Sequence, residues 1–137
     1  MSSLSRRWLA VGALVGAIGV TLGAFGAHVL PEYLSNLGYT DDDLTRRVDI
    51  FDTAIHYQLI HALALVFTGL ALEHRTTAWW RFAAWAFLLG VILFCGSLKV
   101  LTVVGSSWNW LGMVAPIGGV LMIVGWAALA VGALRRS

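Results

Sequence analysis

The chain has 137 residues, of which 59% are hydrophobic and only 12% are charged. Soluble domains carry about 25% charged residues, so this composition, with a mean hydropathy of +0.82, excludes a soluble globular fold. The net charge of +2 does not indicate a nucleic-acid partner, because the basic residues fall mostly in pairs beside apolar runs, where they orient membrane helices. A single cysteine, Cys95, excludes a disulfide framework or a cysteine-based zinc site within one chain.

The first apolar run extends from about residue 8 to residue 30. It exceeds the roughly 20 residues that cross about 30 Å of hydrocarbon. Arg6 and Arg7 precede it and resemble a twin-arginine export signal. The run is longer than a signal core, however, and lacks a cleavage site before Pro31. We therefore predict a first membrane span that these two arginines anchor.

The segment from residue 31 to residue 52 is polar and acidic, and it is predicted to be an outer loop. Within it, Thr40 followed by Asp43 approximates a helix-capping pair. Apolar residues then recur at helical spacing, namely Leu44, Val48, Phe51 and Ile55. The pattern predicts a short amphipathic helix that lies against the membrane surface and leads into the second span.

Three further apolar spans are predicted, at about residues 53–72, 79–104 and 110–134. Pro116 interrupts the last one near its start, which membrane helices tolerate where neighbouring helices satisfy the freed carbonyl. The predicted fold is therefore all-α: one membrane domain, residues 1–137, with four transmembrane helices in an antiparallel bundle.

Arginines near the ends of the spans predict the orientation of the bundle. With four spans all of them fall on one side, and the positive-inside rule makes that side cytoplasmic. These residues are Arg6, Arg7, Arg75, Arg81, Arg135 and Arg136. Both termini are then expected in the cytoplasm, with the acidic loop and the turn at residues 105–109 outside.

Glycines recur at helical spacing in the first and last spans. The first span carries a stripe at alternating steps of four and three, made of Gly12, Gly16, Gly19, Gly23 and Gly26. The last span carries Gly118 and Gly125 at heptad spacing. Small residues let two helix backbones approach closely in lipid, so we predict that both stripes are helix-packing faces. A groove that accommodates a ligand is the alternative reading.

Several short segments have an order and spacing found in a known family. They are Gly23-Ala24-Phe25-Gly26-Ala27-His28, Thr53-Ala54, Tyr57-Gln58, His61-Ala62-Leu63-Ala64-Leu65, Gly96-Ser97-Leu98, Pro116-Ile117-Gly118-Gly119 and Gly125-Trp126. The chain resembles the YgdD/YwdK-like family of small four-span membrane proteins of unknown function. The resemblance implies a helical bundle in a bacterial inner membrane and supplies no reaction. The chain departs from the family's pattern at His56, Cys95 and Lys99, so no role is transferred to those positions.

Polar residues within the spans gather toward the predicted outer side. The candidate pocket consists of His28, Asp49, Asp52, His56, Tyr57, His61, Ser97 and Lys99. Ionisable residues inside a membrane are costly and by default indicate function, although structural hydrogen bonding between helices is the competing reading. We predict that Lys99 pairs with the carboxylate of Asp49 or Asp52. No metal or other cofactor is expected, because His56 and His61 stand five apart and not at the four-residue spacing of paired helical ligands.

Three functions are compatible with these features. The first is a non-enzymatic accessory, lipid-binding or assembly protein of the bacterial inner membrane, whose glycine faces contact the lipid bilayer, a second copy or a larger complex. The second is a small transporter or channel in which the polar pocket handles an ion or a small anion. An intramembrane metal or redox enzyme comes last, because no ligand set or nucleophile-base pair is present at suitable spacing.

Overall fold

The computed structural model describes residues 1–104 and 110–135. Within these ranges the chain forms five α-helices: α1 (Ser3–His28), α2 (Leu30–Asn36), α3 (Asp41–His74), α4 (Ala78–Val104) and α5 (Leu111–Leu134). All except α2 are long and apolar enough to cross a membrane, so the predicted all-α, four-span architecture is confirmed. Arg136 and the turn expected outside the membrane at residues 105–109 fall beyond the described ranges.

The start of α1 lies before the first predicted span. The hydroxyl of Ser2 accepts a hydrogen bond from the backbone N–H of Ser5 at 3.1 Å, which caps the helix. The side chain of Ser5 is buried and its hydroxyl donates to the carbonyl oxygen of Gly69 on α3 at 2.8 Å. The added turn therefore packs on α3 as part of the bundle.

The short helix α2 occupies part of the segment that the sequence assigned to a loop. Pro31 lies in its first turn, where the missing N–H has no intrahelical partner to lose. Leu30 and Leu34 are fully buried against Phe51 and Ile55 of α3. Local propensity and burial together therefore stabilise a helix that the polar composition of the segment obscured.

The predicted amphipathic helix is the first part of α3, which continues without interruption for 34 residues. Its cap is as predicted, since the hydroxyl of Thr40 accepts from the backbone N–H of Asp43 at 3.4 Å. The structure differs from the expectation of a separate helix on the membrane surface. No glycine or proline breaks the chain between residues 41 and 68, and the apolar stripe of this part packs on α2.

The spanning helices pack in the order α1, α3, α4, α5, with the principal contacts between successive members of that series. The central position of α3 shows in its burial. In its most apolar stretch of 18 residues, 50% of the residues of α3 are buried inside the protein, compared with 17% for α1. The polar side chains of α3 therefore have neighbours on several sides, and the candidate site forms around them.

Two crossings bring helix backbones into direct contact. Where α1 crosses α3, a Cβ atom added to Gly12 would lie 2.8 Å from the backbone nitrogen of Val66 and 2.9 Å from the carbonyl oxygen of Ala62. Where α4 crosses α5, a Cβ on Gly118 would lie 2.9 Å from the carbonyl oxygen of Gly90 and would overlap the backbone nitrogen of Phe94. Neither contact can be relieved by rotating a side chain, so both positions require glycine.

The other glycines of the predicted stripes face side chains of neighbouring helices. A Cβ on Gly19, Gly26 or Gly125 would come within 3 Å of a side-chain atom of Leu59, Phe51 or Phe87, respectively. Gly23 lies near Ile55, and Gly16 is in ordinary contact distance of Ala62. The sequence interpretation did not select Gly69 or Gly90, although a Cβ on Gly69 would lie 2.7 Å from the backbone nitrogen of Leu9. The energetic role of these glycines stays a prediction.

We expect Gly12→Ala and Gly118→Ala each to lower the free energy of unfolding by about 1–3 kcal/mol, the usual cost of overpacking. Each new methyl group would force two backbones apart. Gly96→Ala is the matched control, because the space around Gly96 is open and alanine favours a helix over glycine. Thermal unfolding in detergent measures all three variants. Equal unfolding temperatures for Gly12→Ala and Gly96→Ala would contradict the packing role.

The orientation can be tested with single cysteines in a Cys95→Ala background. Ser35 in α2 and Thr76 between α3 and α4 are both exposed and lie at opposite ends of the bundle. We expect a membrane-impermeant maleimide added to intact cells to label Ser35→Cys, and to label Thr76→Cys only after the membrane is opened. The reverse pattern would overturn the prediction that both termini are cytoplasmic.

Candidate functional site within the spans

Four side chains from three helices form a polar cluster inside the bundle. Gln58 and His61 extend from α3, Lys99 from α4 and Trp126 from α5. Gln58 and His61 are each only 4% exposed, whereas their polar neighbours His56 and Tyr57 are exposed. We refer to these four residues as the polar cluster.

Gln58 connects α3 to two other spans. Its Nε2 donates a hydrogen bond to the carbonyl oxygen of Val15 on α1 at 2.8 Å. Its Oε1 accepts a hydrogen bond from the ammonium group of Lys99 on α4. One carboxamide therefore uses its donor and its acceptor at the same time, which is what a buried amide requires.

His61 connects α3 to α5 through the ring of Trp126. The indole Nε1 of Trp126 lies 3.2 Å from Nε2 of His61, and because an indole N–H can only donate, Nε2 is the acceptor. The other ring nitrogen, Nδ1, lies 2.7 Å from the carbonyl oxygen of Tyr57 and carries the proton. This neutral tautomer satisfies both ring nitrogens within the protein.

Aromatic rings surround His61. The ring of Tyr57 stacks on it with 6.2 Å between centroids and 8° between planes, and Phe87 and Trp126 lie at 5.6 Å and 6.1 Å. Phe94 packs in turn against Tyr57 at 4.9 Å. These rings place the imidazole in an apolar, enclosed setting.

The structure brings together only part of the predicted pocket. Tyr57, His61 and Lys99 belong to or border the polar cluster. Ser97 is buried, but its hydroxyl donates to the carbonyl oxygen of Phe94 in its own helix at 3.0 Å. The remaining predicted members are exposed side chains outside the cluster, namely His28, Asp49, Asp52 and His56.

The structure corrects the expectation that Lys99 pairs with Asp49 or Asp52. Among residues 1–104 and 110–135 the one ion pair joins the amino group of Met1 to Glu73 at 3.2 Å. The rotation of α3 explains this difference. Arg47 faces α4, and Asp49 lies two residues later, about 200° around the helix. Asp52 faces α1, where its Oδ1 would lie 3.8 Å from a Cβ on Gly26.

The sequence interpretation missed three residues that connect the helices. Gln58 and Trp126 complete the polar cluster, and the guanidinium of Arg47 donates to the carbonyl oxygens of Leu101 and Thr102 at 3.1 Å and 2.8 Å. Two of the last four carbonyls of α4 are thereby satisfied. The available signals were a glutamine inside an apolar run and a tryptophan placed away from the span ends.

Within the described ranges, no three His, Cys, Asp or Glu side chains come together in a group that could hold a metal ion. The one described cysteine, Cys95, is buried and unpaired and lies one turn before Lys99. The chemistry of the polar cluster in this structure is therefore that of hydrogen bonds between neutral groups and one ammonium.

Comparison with known proteins places the chain in a family. The family described as "Protein of unknown function (DUF423)" matches residues 22–119. The chain belongs to this family. The UPF0382 inner membrane protein YgdD of Escherichia coli (strain K12) is 35% identical over 131 residues, which cover 96% of this chain and 92% of that protein.

A second relative, the UPF0382 membrane protein SH2409 of Staphylococcus haemolyticus, is 33% identical over 130 residues, 95% of this chain and 97% of that protein. No solved structure matches the chain. The family resemblance predicted from the sequence is confirmed, and this is a multi-pass membrane protein of an uncharacterised family. Any finer statement of function must come from the chain's own geometry.

We expect Gln58→Leu to destabilise the protein more than Lys99→Met does. Gln58→Leu leaves an ammonium without a partner, which costs about 2.5–3.5 kcal/mol at the bilayer centre and less near the interface. Lys99→Met leaves the neutral Oε1 of Gln58 without a partner, which costs less than an unpaired charge, and keeps the hydrogen bond of Gln58 to Val15. The double variant should therefore be more stable than Gln58→Leu alone.

Unfolding in detergent of the two single variants and the double variant measures this coupling. Asp52→Asn is the matched control and should leave stability unchanged, since the carboxylate of Asp52 is not the partner of Lys99. Strict additivity of the two single effects would show that Gln58 and Lys99 do not interact.

Proposed function

We propose that this protein is a non-enzymatic lipid-binding protein of the bacterial inner membrane, in which a groove between α1 and α3 holds the acyl chain of a lipid. The groove encloses about 400 Å³. Its lining is apolar and consists mostly of small residues: Gly12, Ala13, Gly16, Ala17, Val20, Leu59, Ala62, Leu63 and Val66. This groove is the observation that carries the proposal.

The position of the groove favours an acyl chain as its occupant. It lies along the middle of two spanning helices, and the side chains at its edges are exposed, with Val20 at 64% and Leu63 at 60%. In a bilayer this face meets hydrocarbon. No polar side chain lines the groove, so it offers van der Waals contact without an orienting hydrogen bond, which suits a flexible alkyl chain.

The polar cluster supports a structural role beside this groove. Gln58 uses its amide on Val15 and Lys99, and His61 uses both ring nitrogens on Tyr57 and Trp126. Groups that are already engaged within the protein connect helices, as hydrogen bonds do in membrane proteins generally. A location in the bacterial inner membrane is supported by the name of the Escherichia coli relative. Cytoplasmic termini are supported by the distribution of the arginines.

Filling the groove tests the proposal. We expect Gly16→Leu to remove most of the labelling of the protein by a photoactivatable phospholipid that carries its reactive group in the acyl chain. A Cβ on Gly16 would be in ordinary contact with Ala62 at 3.6 Å, so the leucine occupies the groove without forcing the backbones apart. Gly96→Leu is the matched control, because it adds the same side chain to a helix at an open position.

Each outcome of this experiment decides the matter. Loss of labelling in Gly16→Leu alone supports acyl-chain binding, and equal labelling of both variants contradicts it. The labelled peptide must also come from α1 or α3. A second copy of the chain is the competing occupant, since small residues four apart also favour helix association. Crosslinking of two chains through Ala13→Cys that excludes lipid labelling would favour the dimer.

A small transporter for an ion or a small anion is the second candidate. One observation favours it: Lys99 lies within a span and its hydrogen-bond partner is a neutral amide, whereas an intramembrane ammonium usually has a functional reason. This function requires water to reach Lys99. Ion flux into proteoliposomes that is lost in Lys99→Met, with stability preserved, would favour transport over the lipid-binding proposal.

A further inference from the structure

One end of the bundle carries a group of arginine and tryptophan side chains outside the site described above. α3 ends there, α4 begins and α5 ends. The guanidinium of Arg75 donates from Nη2 to the carbonyl oxygen of Arg135 at 2.8 Å. Two tryptophans follow in the first turn of α4, Trp79 and Trp80. We refer to these four residues as the basic corner.

Each guanidinium of the basic corner lies beside a tryptophan ring. The Cζ atom of Arg75 is 5.9 Å from the ring centroid of Trp80, and the Cζ atom of Arg135 is 4.8 Å from that of Trp79. Trp80 is itself fixed by a hydrogen bond from its Nε1 to the carbonyl oxygen of Leu129 at 3.1 Å. Both positive charges therefore lie against tryptophan rings, and the ring beside Arg75 is held in place by the backbone of α5.

The carboxylate of Glu73 does not neutralise the positive charge of the basic corner. Glu73 lies two residues before Arg75, but it pairs with the amino group of Met1 at 3.2 Å and accepts from the backbone N–H of Ser2 at 2.6 Å. In addition, Nε of Arg75 is buried and has no hydrogen-bond partner in the described part of the chain. The corner thus has both charge and donor capacity left for an anion.

We propose that the basic corner binds the phosphate group of an anionic phospholipid. Guanidinium groups match the geometry and charge of phosphate, and basic pockets between spanning helices bind anionic headgroups. The corner lies at the ends of three candidate spans, where a bilayer would place its phosphates, and tryptophans are enriched at that level. This depth favours a lipid phosphate over a free phosphate ion.

This site is independent of the groove between α1 and α3. The groove has an apolar lining and contacts an alkyl chain whatever its headgroup, whereas the basic corner discriminates by headgroup charge. The variants that test the two sites are different residues on different elements. Loss of one property with retention of the other is therefore observable.

The test compares the full chain in nanodiscs of phosphatidylglycerol and of phosphatidylcholine. We expect the wild-type protein to unfold at a higher temperature in phosphatidylglycerol. Arg75→Gln and Arg135→Gln should each lose most of that increment. Arg135→Gln keeps the backbone carbonyl that Arg75 uses, so it separates headgroup binding from the support of the turn. The difference in unfolding temperature between the two lipids is taken for each variant separately, so a change in the overall stability of a variant does not affect the comparison.

Arg6→Gln is the matched control, because it removes one exposed charge at the same end of the bundle but outside the basic corner. It should keep the increment. An equal loss in Arg6→Gln and Arg75→Gln would assign the effect to the general attraction of a basic surface and would overturn the proposal. Inorganic phosphate added to the phosphatidylcholine sample should not reproduce the increment; if it does, the ligand is a free anion and the lipid site is refuted.

Discussion

Hydrocarbon offers no water to replace a missing hydrogen-bond partner, so each polar group inside the spans must find its partner within the protein. Gln58 shows how strongly this constraint acts on the bundle. Its amide bonds the backbone of Val15 on α1 and the ammonium of Lys99 on α4, and one turn later His61 bonds Trp126 on α5. Two neighbouring turns of α3 therefore connect to all the other spans.

The central position of α3 follows from the same requirement. A helix whose polar residues point toward three neighbours must be enclosed by them, and α3 has the largest buried share among the four spans. The glycines let the helices approach closely enough for these hydrogen bonds to form. At Gly12 the backbones of α1 and α3 touch, which brings the carbonyl of Val15, less than one turn further along α1, within reach of Gln58. Close packing and hydrogen bonding are thus parts of one arrangement.

The sequence predicts well those features that depend on one segment at a time. The spans follow from apolar length, and the cap at Thr40 follows from a local pair of residues. The glycine stripe of α1 also lies on one face by spacing alone. In contrast, the sequence did not predict α2. Leu30 and Leu34 stabilise this helix only because they are buried against Phe51 and Ile55. Local composition carries no information about contacts between separate segments of the chain.

The partner of Lys99 illustrates the same limit within the site. Charge alone favours a carboxylate as the partner of Lys99. The sequence predicted that two carboxylates, those of Asp49 and Asp52, lie near the same depth in the membrane. The choice depends on how α3 is rotated, and that rotation places Arg47 against the end of α4 and Asp52 on the side of α1. A neutral amide also avoids placing a second charge in the bilayer. Rotation about a helix axis is a property of packed neighbours, so no periodicity within α3 could reveal it.

Directional hydrogen bonds determine the relative positions of helices whose outward surfaces are mostly apolar. The outward faces of α1 and α5 present aliphatic residues that hydrocarbon solvates equally well in many rotations, so these residues alone do not fix one helix register. The bonds of Gln58 and His61 are satisfied at one register only, and a shift by one residue would leave a donor or the ammonium unpaired in lipid. We therefore expect the polar cluster to contribute specificity to the bundle more than net stability.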